Sequence, residues 1–266
     1  MGHIEATLST DDLLRSLGLE DDTDGKTYQI FRDFEQTVKE TFNPSEIGGV
    51  ISAMHIMAQA HIGQRRKDGS LYIFHPVEVA RDVIALCAYP DKGAVIAALF
   101  HDVVEDQSEA YVRLTGRQLD QQRPTQAQAL EAIGDDFGDD VAQLVTALTN
   151  PNFGQILASE GIDKDHPEFS RRMKELYAQH VASIIEDPRV CIIKFADFSR
   201  NCCAFPKLKN SEMKREIGAK YRPVVDIFRA RINDKSKPLN TCQQSDMLLE
   251  LGEIAELIDK YFANLE

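Results

Sequence analysis

The densest chemistry in this chain is the run His101-Asp102-Val103-Val104-Glu105-Asp106. Adjacent residues on a helix project about 100° apart, so His101 and Asp102 can both reach an ion centred in the groove beside them. Glu105 follows His101 by four residues and Asp106 follows Asp102 by four, which sets a second carboxylate pair one turn further along the same face. A mixed imidazole and carboxylate set without thiolates suits Mn²⁺, Fe²⁺ or Zn²⁺, and Mg²⁺ less readily. Two ligands do not make a site. His75, at a helix entrance just before Pro76, and Asp197, on a later helix, are candidates for the remaining pair of an N₂O₂ set. A metal held there would lower the pKa of a bound water and polarise a phosphoryl oxygen, leaving Glu105 and Asp106 to orient or deprotonate that water.

Two basic segments accompany these acids: Arg65-Arg66-Lys67, and Lys194-Phe195-Ala196-Asp197 with Asn201 downstream. Each is ordinary by itself. A histidine on an apolar helical face is usually a satisfied core residue, three clustered charges usually make a solvated turn, and Tyr72 and Tyr221 read as packing aromatics. Charge sets them in context. With 43 acidic against 30 basic residues the net charge is −13, which argues against a binder of nucleic-acid polymers, since such proteins neutralise phosphates with surplus Lys and Arg. Any phosphate site must therefore be locally basic.

Helices have to position these groups. Val50, Ile51, Met54, Met57, Ala58 and His61 repeat at three- and four-residue spacing, strand-like alternation is scarce, and the chain reads as all-α. Further helices are expected over Val77 to Cys87, Gly93 to Asp106, Gln126 to Leu148, Glu168 to Glu186, Val190 to Phe205, Ser211 to Ile232 and Ser245 to Leu265. Residues 1–47 read as a helical appendage, with helices over Asp11 to Leu17 and Thr27 to Phe42 around the acidic cluster Glu20, Asp21, Asp22 and Asp24. Residues 48–266 read as the main domain. Within it, the stretch from Gln107 to Asp136 holds a polar, Gln-rich run from Gln118 to Gln128 that reads as a mobile excursion, suited to a lid.

Class follows from composition. The chain has 266 residues, 43% apolar and 27% charged, which is enough for a sizeable globular core. No apolar run reaches membrane-spanning length, and Met1 opens a polar, acidic stretch with no secretory signal, so the expectation is a cytoplasmic protein without a membrane partner. Five cysteines without a CxxC pair fit reduced thiols, and Cys202-Cys203 reads as core filler.

Taken together, the four segments resemble the hydrolase part of the RelA/SpoT homologues, an HD-domain family whose pattern runs R-K, Y-I-x-H-P, H-D-x-V-E-D, then K-x-A-D with a nearby Asn. Here those are Arg66-Lys67, Tyr72-Ile73-Phe74-His75-Pro76, His101 to Asp106, and Lys194 to Asp197 with Asn201. The likeness runs from about Ile51 to Phe205, and four motifs in order make it specific. It implies an HD-type helical bundle that uses manganese (Mn²⁺) to remove the 3′-pyrophosphate of the alarmones ppGpp and pppGpp. It also implies that His75, His101, Asp102 and Asp197 are metal ligands and that Glu105 and Asp106 position the water. Arg66, Lys67, Lys194 and Asn201 would be the substrate contacts.

The chain also departs from the family pattern. Leu71-Tyr72 stands for Pro-Tyr, Phe198-Ser199-Arg200 for Arg-Leu-His after the last ligand, and Ala204 for a threonine near the nucleotide, while the stretch from Asp106 to Phe137 is longer. No ligand is lost, so the departures bear on base selectivity and leave ppApp or another nucleotide as an alternative substrate. No synthetase fits in the roughly 60 residues after Phe205, so the chain is expected to be a stand-alone small alarmone hydrolase. A different reading is an alarmone-binding module or antitoxin that contacts a toxic alarmone synthetase. A homo-oligomer fits the apolar faces of the last helices equally well.

Overall fold

The computed structural model describes residues 9–19, 26–208, 210–241 and 243–263. The acidic cluster Glu20 to Asp24, Cys242 and Leu265 lie outside the described residues. Among the described residues the fold is all-α, with an isolated bridge between Arg65 and Leu71 in place of any strand. It divides into two compact units, Met1–Thr149 and Asn150–Glu266.

The first unit holds α1 (Thr10–Ser16), α2 (Lys26–Thr41), α3 (Pro44–Ala60), α4 (Phe74–Leu86), α5 (Lys92–Phe100), α6 (Val103–Asp106), α7 (Ser108–Leu114), α8 (Thr125–Phe137) and α9 (Asp139–Leu148). Its centre is α5, buried from Gly93 to Phe100 on every side and packed on α3, α4 and α9. A helix apolar all round belongs in the middle of a core. The Asp91 side chain starts it by accepting from Gly93 N at 3.0 Å. The stripe expected on α3 is buried as its spacing requires. Among the described residues before Ile47, side chains of α1 and α2 are buried in this unit. Leu13, Leu14, Phe31, Phe34 and Val38 are all fully buried, and the Arg32 guanidinium grips Asp11 with two nitrogens.

Three expectations change. The single helix expected over Gly93 to Asp106 is two, because α5 ends at Phe100 and α6 begins at Val103. The physical cause is a competing donor: His101 Nδ1 donates to Ala98 O at 2.7 Å, the carbonyl that would otherwise take the next helical bond. The helix expected over Gln126 to Leu148 is also two, divided at Gly138, whose φ of +100° favours glycine. The excursion from Gln107 to Asp136 is built largely of α7 and α8 and is tied into the core. Tyr111, Val112, Ala129, Ala132 and Ile133 are buried, and the buried Gln128 amide donates to Asp120 O and Arg123 O while accepting from Asp120 N.

The second unit holds α10 (Phe153–Ser159), which the sequence reading did not expect, α11 (Phe169–Ile184), α12 (Pro188–Ala204), a 3₁₀ turn (Phe205–Lys207), α13 (Ser211–Asn233) and α14 (Gln244–Ala263). Its middle is α12, buried continuously from Val190 to Ser199. Pro188 sits in the first turn and the Asp187 side chain accepts from Arg189 N and Val190 N, at 2.8 and 3.3 Å. Phe195 and Phe198 pack on Phe228, and Phe198 meets Tyr221 edge-on at 5.4 Å. At the end of α11, the buried Arg231 guanidinium donates to Ile185 O at 2.8 Å and to Lys237 O at 2.6 Å. The first satisfies a carbonyl that the end of α11 leaves over, and the second ties in the turn after α13.

Candidate metal centre

The break after α5 makes the first unit's site. His101 and Asp102 occupy the two-residue turn between α5 and α6, and His75 comes from the first turn of α4, where Pro76 is tolerated because the first amides of a helix lack partners. One donor atom from each of His75, His101 and Asp102 lies within 4.8 Å of the others. Both imidazoles are 2% exposed, and Asp102 is half-buried. His101 Nε2 is 3.0 Å from Asp102 Oδ2, and His75 Nε2 is 3.8 Å from the same oxygen.

Chemistry of the donors tests whether a cation fits. The Ala98 carbonyl can only accept, so His101 carries a proton on Nδ1, and its Nε2 faces the Asp102 carboxylate. In the neutral imidazole that nitrogen is an electron-pair donor, which together with the carboxylate oxygen can share a cation. A carbonyl bond from the far ring nitrogen is also the usual way a ligating histidine is held. Two nitrogens and a carboxylate oxygen suit a divalent metal such as Mn²⁺, Fe²⁺ or Zn²⁺.

Around this cluster the structure adds residues that sequence reasoning passed over. Tyr72, expected as packing, donates its hydroxyl to Asp102 Oδ2, stacks on His61 at 4.9 Å between centroids, and lies under the Arg66 guanidinium at 5.9 Å. Its place at the head of the Tyr72-Ile73-Phe74-His75-Pro76 motif hinted at this. His61, read as part of an apolar stripe, is fully buried; burial pushes its pKa below the ordinary value, against the opposing pull of Gln64, Asp102 and Asp106. Glu105 and Asp106 sit on α6, Glu105 half-buried and Asp106 exposed. Arg66 is half-buried, its amide bonded to Ser70 O at 2.9 Å, and Lys67 is exposed.

The remaining expected residues lie together in the second unit, on α12. Asp197, 6% exposed, accepts from Lys194 Nζ at 3.1 Å on one oxygen and from Asn201 Nδ2 at 2.6 Å on the other. The spacing is i, i+3 and i+7, one helical face. Lys194 Nζ also stands 6.0 Å from the Tyr177 ring centroid. Of the residues that depart from the family pattern, Phe198 and Ser199 are buried, the first among aromatics and the second donating to Glu250. Their side chains are committed to packing within this unit. Cys202 is buried core, as expected, with burial raising its thiol pKa, whereas Cys203 is exposed.

A family model described as HD domain matches residues 53–225. Among curated relatives, a guanosine-3′,5′-bis(diphosphate) 3′-pyrophosphohydrolase of Aquifex aeolicus is 27% identical over 184 residues, covering 68% of this chain and 22% of its own length. The bifunctional (p)ppGpp synthase/hydrolase SpoT of Escherichia coli is 27% identical over 190 residues, 70% of this chain and 22% of that protein. A probable GTP pyrophosphokinase of Mycobacterium leprae is 32% identical over 164 residues, 61% of this chain and 16% of that one. The chain thus spans between 16% and 22% of these relatives. A solved structure, described as a metazoan ortholog of SpoT that hydrolyses ppGpp, aligns with a TM-score of 0.53 and 23% identity over 80% of this chain and 96% of its own. That likeness is one of fold.

Proposed function

The chain belongs to the HD-domain family, and from that membership we propose that it is a metal-dependent phosphohydrolase that removes the 3′-pyrophosphate of ppGpp and pppGpp, giving GDP or GTP and pyrophosphate. One observation carries the reading: His75, His101 and Asp102 gather their donors within 4.8 Å, and the carboxylates of Glu105 and Asp106 follow on the next short helix. His75, His101 and Asp102 would hold the ion, with Mn²⁺ as the proposed metal, and the order of the motifs assigns the fourth ligand to Asp197. When bound, the metal would acidify a coordinated water and polarise a phosphoryl oxygen.

The chain's own groups have separate tasks. Tyr72, by donating to Asp102, fixes which oxygen of that carboxylate is engaged. Glu105 and Asp106 align the attacking water and take up its proton. Water adds to the 3′-linked phosphorus, the bond from that phosphorus to the 3′ oxygen breaks, the oxygen gains a proton, and pyrophosphate leaves. Arg66 offers a planar fork to phosphate oxygens, and Lys67 adds a point charge. On a chain of net charge −13 such local positive charge is what a polyanionic nucleotide requires. Lys194 and Asn201 brace Asp197, and the motif assigns them contacts to the nucleotide as well.

Purified protein incubated with Mn²⁺ and either ppGpp or ppApp, with a chelator control, tests this when products are separated by anion exchange. GDP and pyrophosphate from ppGpp, lost on chelation, are the expected result. Preference for ppApp would keep the chemistry and change the base. Alarmone binding without product would sink the enzyme reading and leave a sequestering module.

A further inference from the structure

Asp106 is exposed, yet its carboxylate is held. Gln64 Nε2 donates to Asp106 Oδ2 at 2.8 Å across 42 residues of sequence. The oxygen of the same amide is engaged twice, 2.6 Å from His61 Nδ1 and 2.8 Å from the donating Gln107 Nε2. An amide oxygen only accepts, so His61 carries its proton on Nδ1. The Asp106 carboxylate sets the orientation of the Gln64 amide. Turned over, it would place its oxygen against that carboxylate, which can only accept.

Backbone and ring contacts anchor this arrangement. Gln64 N bonds His61 O and Tyr72 N bonds Gln64 O, each at 3.0 Å, and the buried His61 ring stacks on Tyr72, whose hydroxyl reaches Asp102. One segment, residues 61–72, thus grips a carboxylate at either end of the run from Asp102 to Asp106. A free surface aspartate samples several rotamers, and one that must align a water loses rate with each unproductive rotamer.

We propose that Gln64 is a positioning residue: its amide, anchored by His61 and Gln107, holds the Asp106 carboxylate in the geometry that aligns the attacking water. The inference rests on the phosphohydrolase reading above. Gln64 touches no reacting atom and acts through Asp106.

Steady-state kinetics on Gln64→Leu, Gln64→Glu, Asp106→Asn and the Gln64→Leu/Asp106→Asn double variant provide the test, alongside thermal midpoints and ¹⁵N spectra of the histidine rings. Gln64→Leu should lower kcat on the order of tenfold, with KM unchanged, and should cost nothing more in the Asp106→Asn background. Gln64→Glu keeps an oxygen for His61 and Gln107 but replaces the donor to Asp106, so it should retain the thermal midpoint and still lose kcat. Wild-type kcat in either Gln64 variant, or fully additive losses in the double variant, would overturn the proposal. If the unmodified protein turns over no alarmone, the functional reading fails separately. The spectra then still decide the relay, since His61 protonated on Nε2 contradicts it and His61 protonated on Nδ1, mixed in Gln64→Leu, upholds it.

Discussion

At the scale of single residues, the proposed chemistry rests on three donors that share one small space. Replacing Asp102 by Asn removes the charge that faces two imidazoles and keeps the shape. We expect metal binding, followed by calorimetry, to weaken by at least tenfold, and turnover to vanish while the circular dichroism of the helices persists. Glu105→Gln should separate the roles. With no part in the ligand cluster, it should bind metal like the unaltered protein and lose turnover by about 10²-fold or more. Equal metal binding in the Asp102 variant, or full turnover in the Glu105 variant, would defeat these assignments. The neighbours of Asp102 were the harder part to read. Tyr72 and His61 look like core residues in the sequence because aromatic and imidazole rings pack as readily as they bond, and only coordinates separate the two uses.

At the scale of elements, ends of helices matter more than their middles. The sequence predicts one continuous helix through His101, and the break there is what turns His101 and Asp102 into a corner. Gly138 makes a comparable break with its φ of +100°. Gly138→Ala should destabilise the protein by about 1–3 kcal/mol in urea unfolding, because a Cβ strains that backbone although no atom lies in its way. A loss below about 0.5 kcal/mol would show that the joint between α8 and α9 relaxes. The end of α11 depends on a side chain from 46 residues away. Arg231→Met should cost about 2–4 kcal/mol, since it leaves the carbonyls of Ile185 and Lys237 without their buried donor. An unchanged midpoint in denaturant would mean that water replaces the guanidinium there.

At the scale of the whole molecule, buried and half-buried histidines set a pH dependence. Burial, helped by the Lys194 ammonium, pushes His180 down to about 4, and burial likewise lowers His55 against the pull of Glu35. Such groups are neutral when folded. As pH falls below the ordinary histidine value of about 6.5, the unfolded chain takes up protons first, so stability present above that pH is lost progressively toward pH 4. Thermal midpoints measured from pH 7 to pH 4 should fall, and the slope should be shallower in His180→Gln. An identical slope would remove His180 from the account. Among the described residues no helix is long and apolar enough to cross a membrane.

By itself the sequence determined the all-α class and the positions of most helices, and it singled out the motifs from which the proposed site is drawn, because helical periodicity and motif order are local, one-dimensional signals. It could not determine where two long helices break. A histidine side chain that takes a backbone carbonyl, and a glycine that adopts positive φ, are choices made against neighbouring packing rather than by propensity. Nor could it show that the polar stretch after Gln107 is tied into the core through Gln128, or that α2 buries Phe31 and Phe34 in the first unit. Tertiary structure decided those points, and with them the corner that gathers His75, His101 and Asp102, since proximity of residues distant in sequence is set by packing, which no local pattern records.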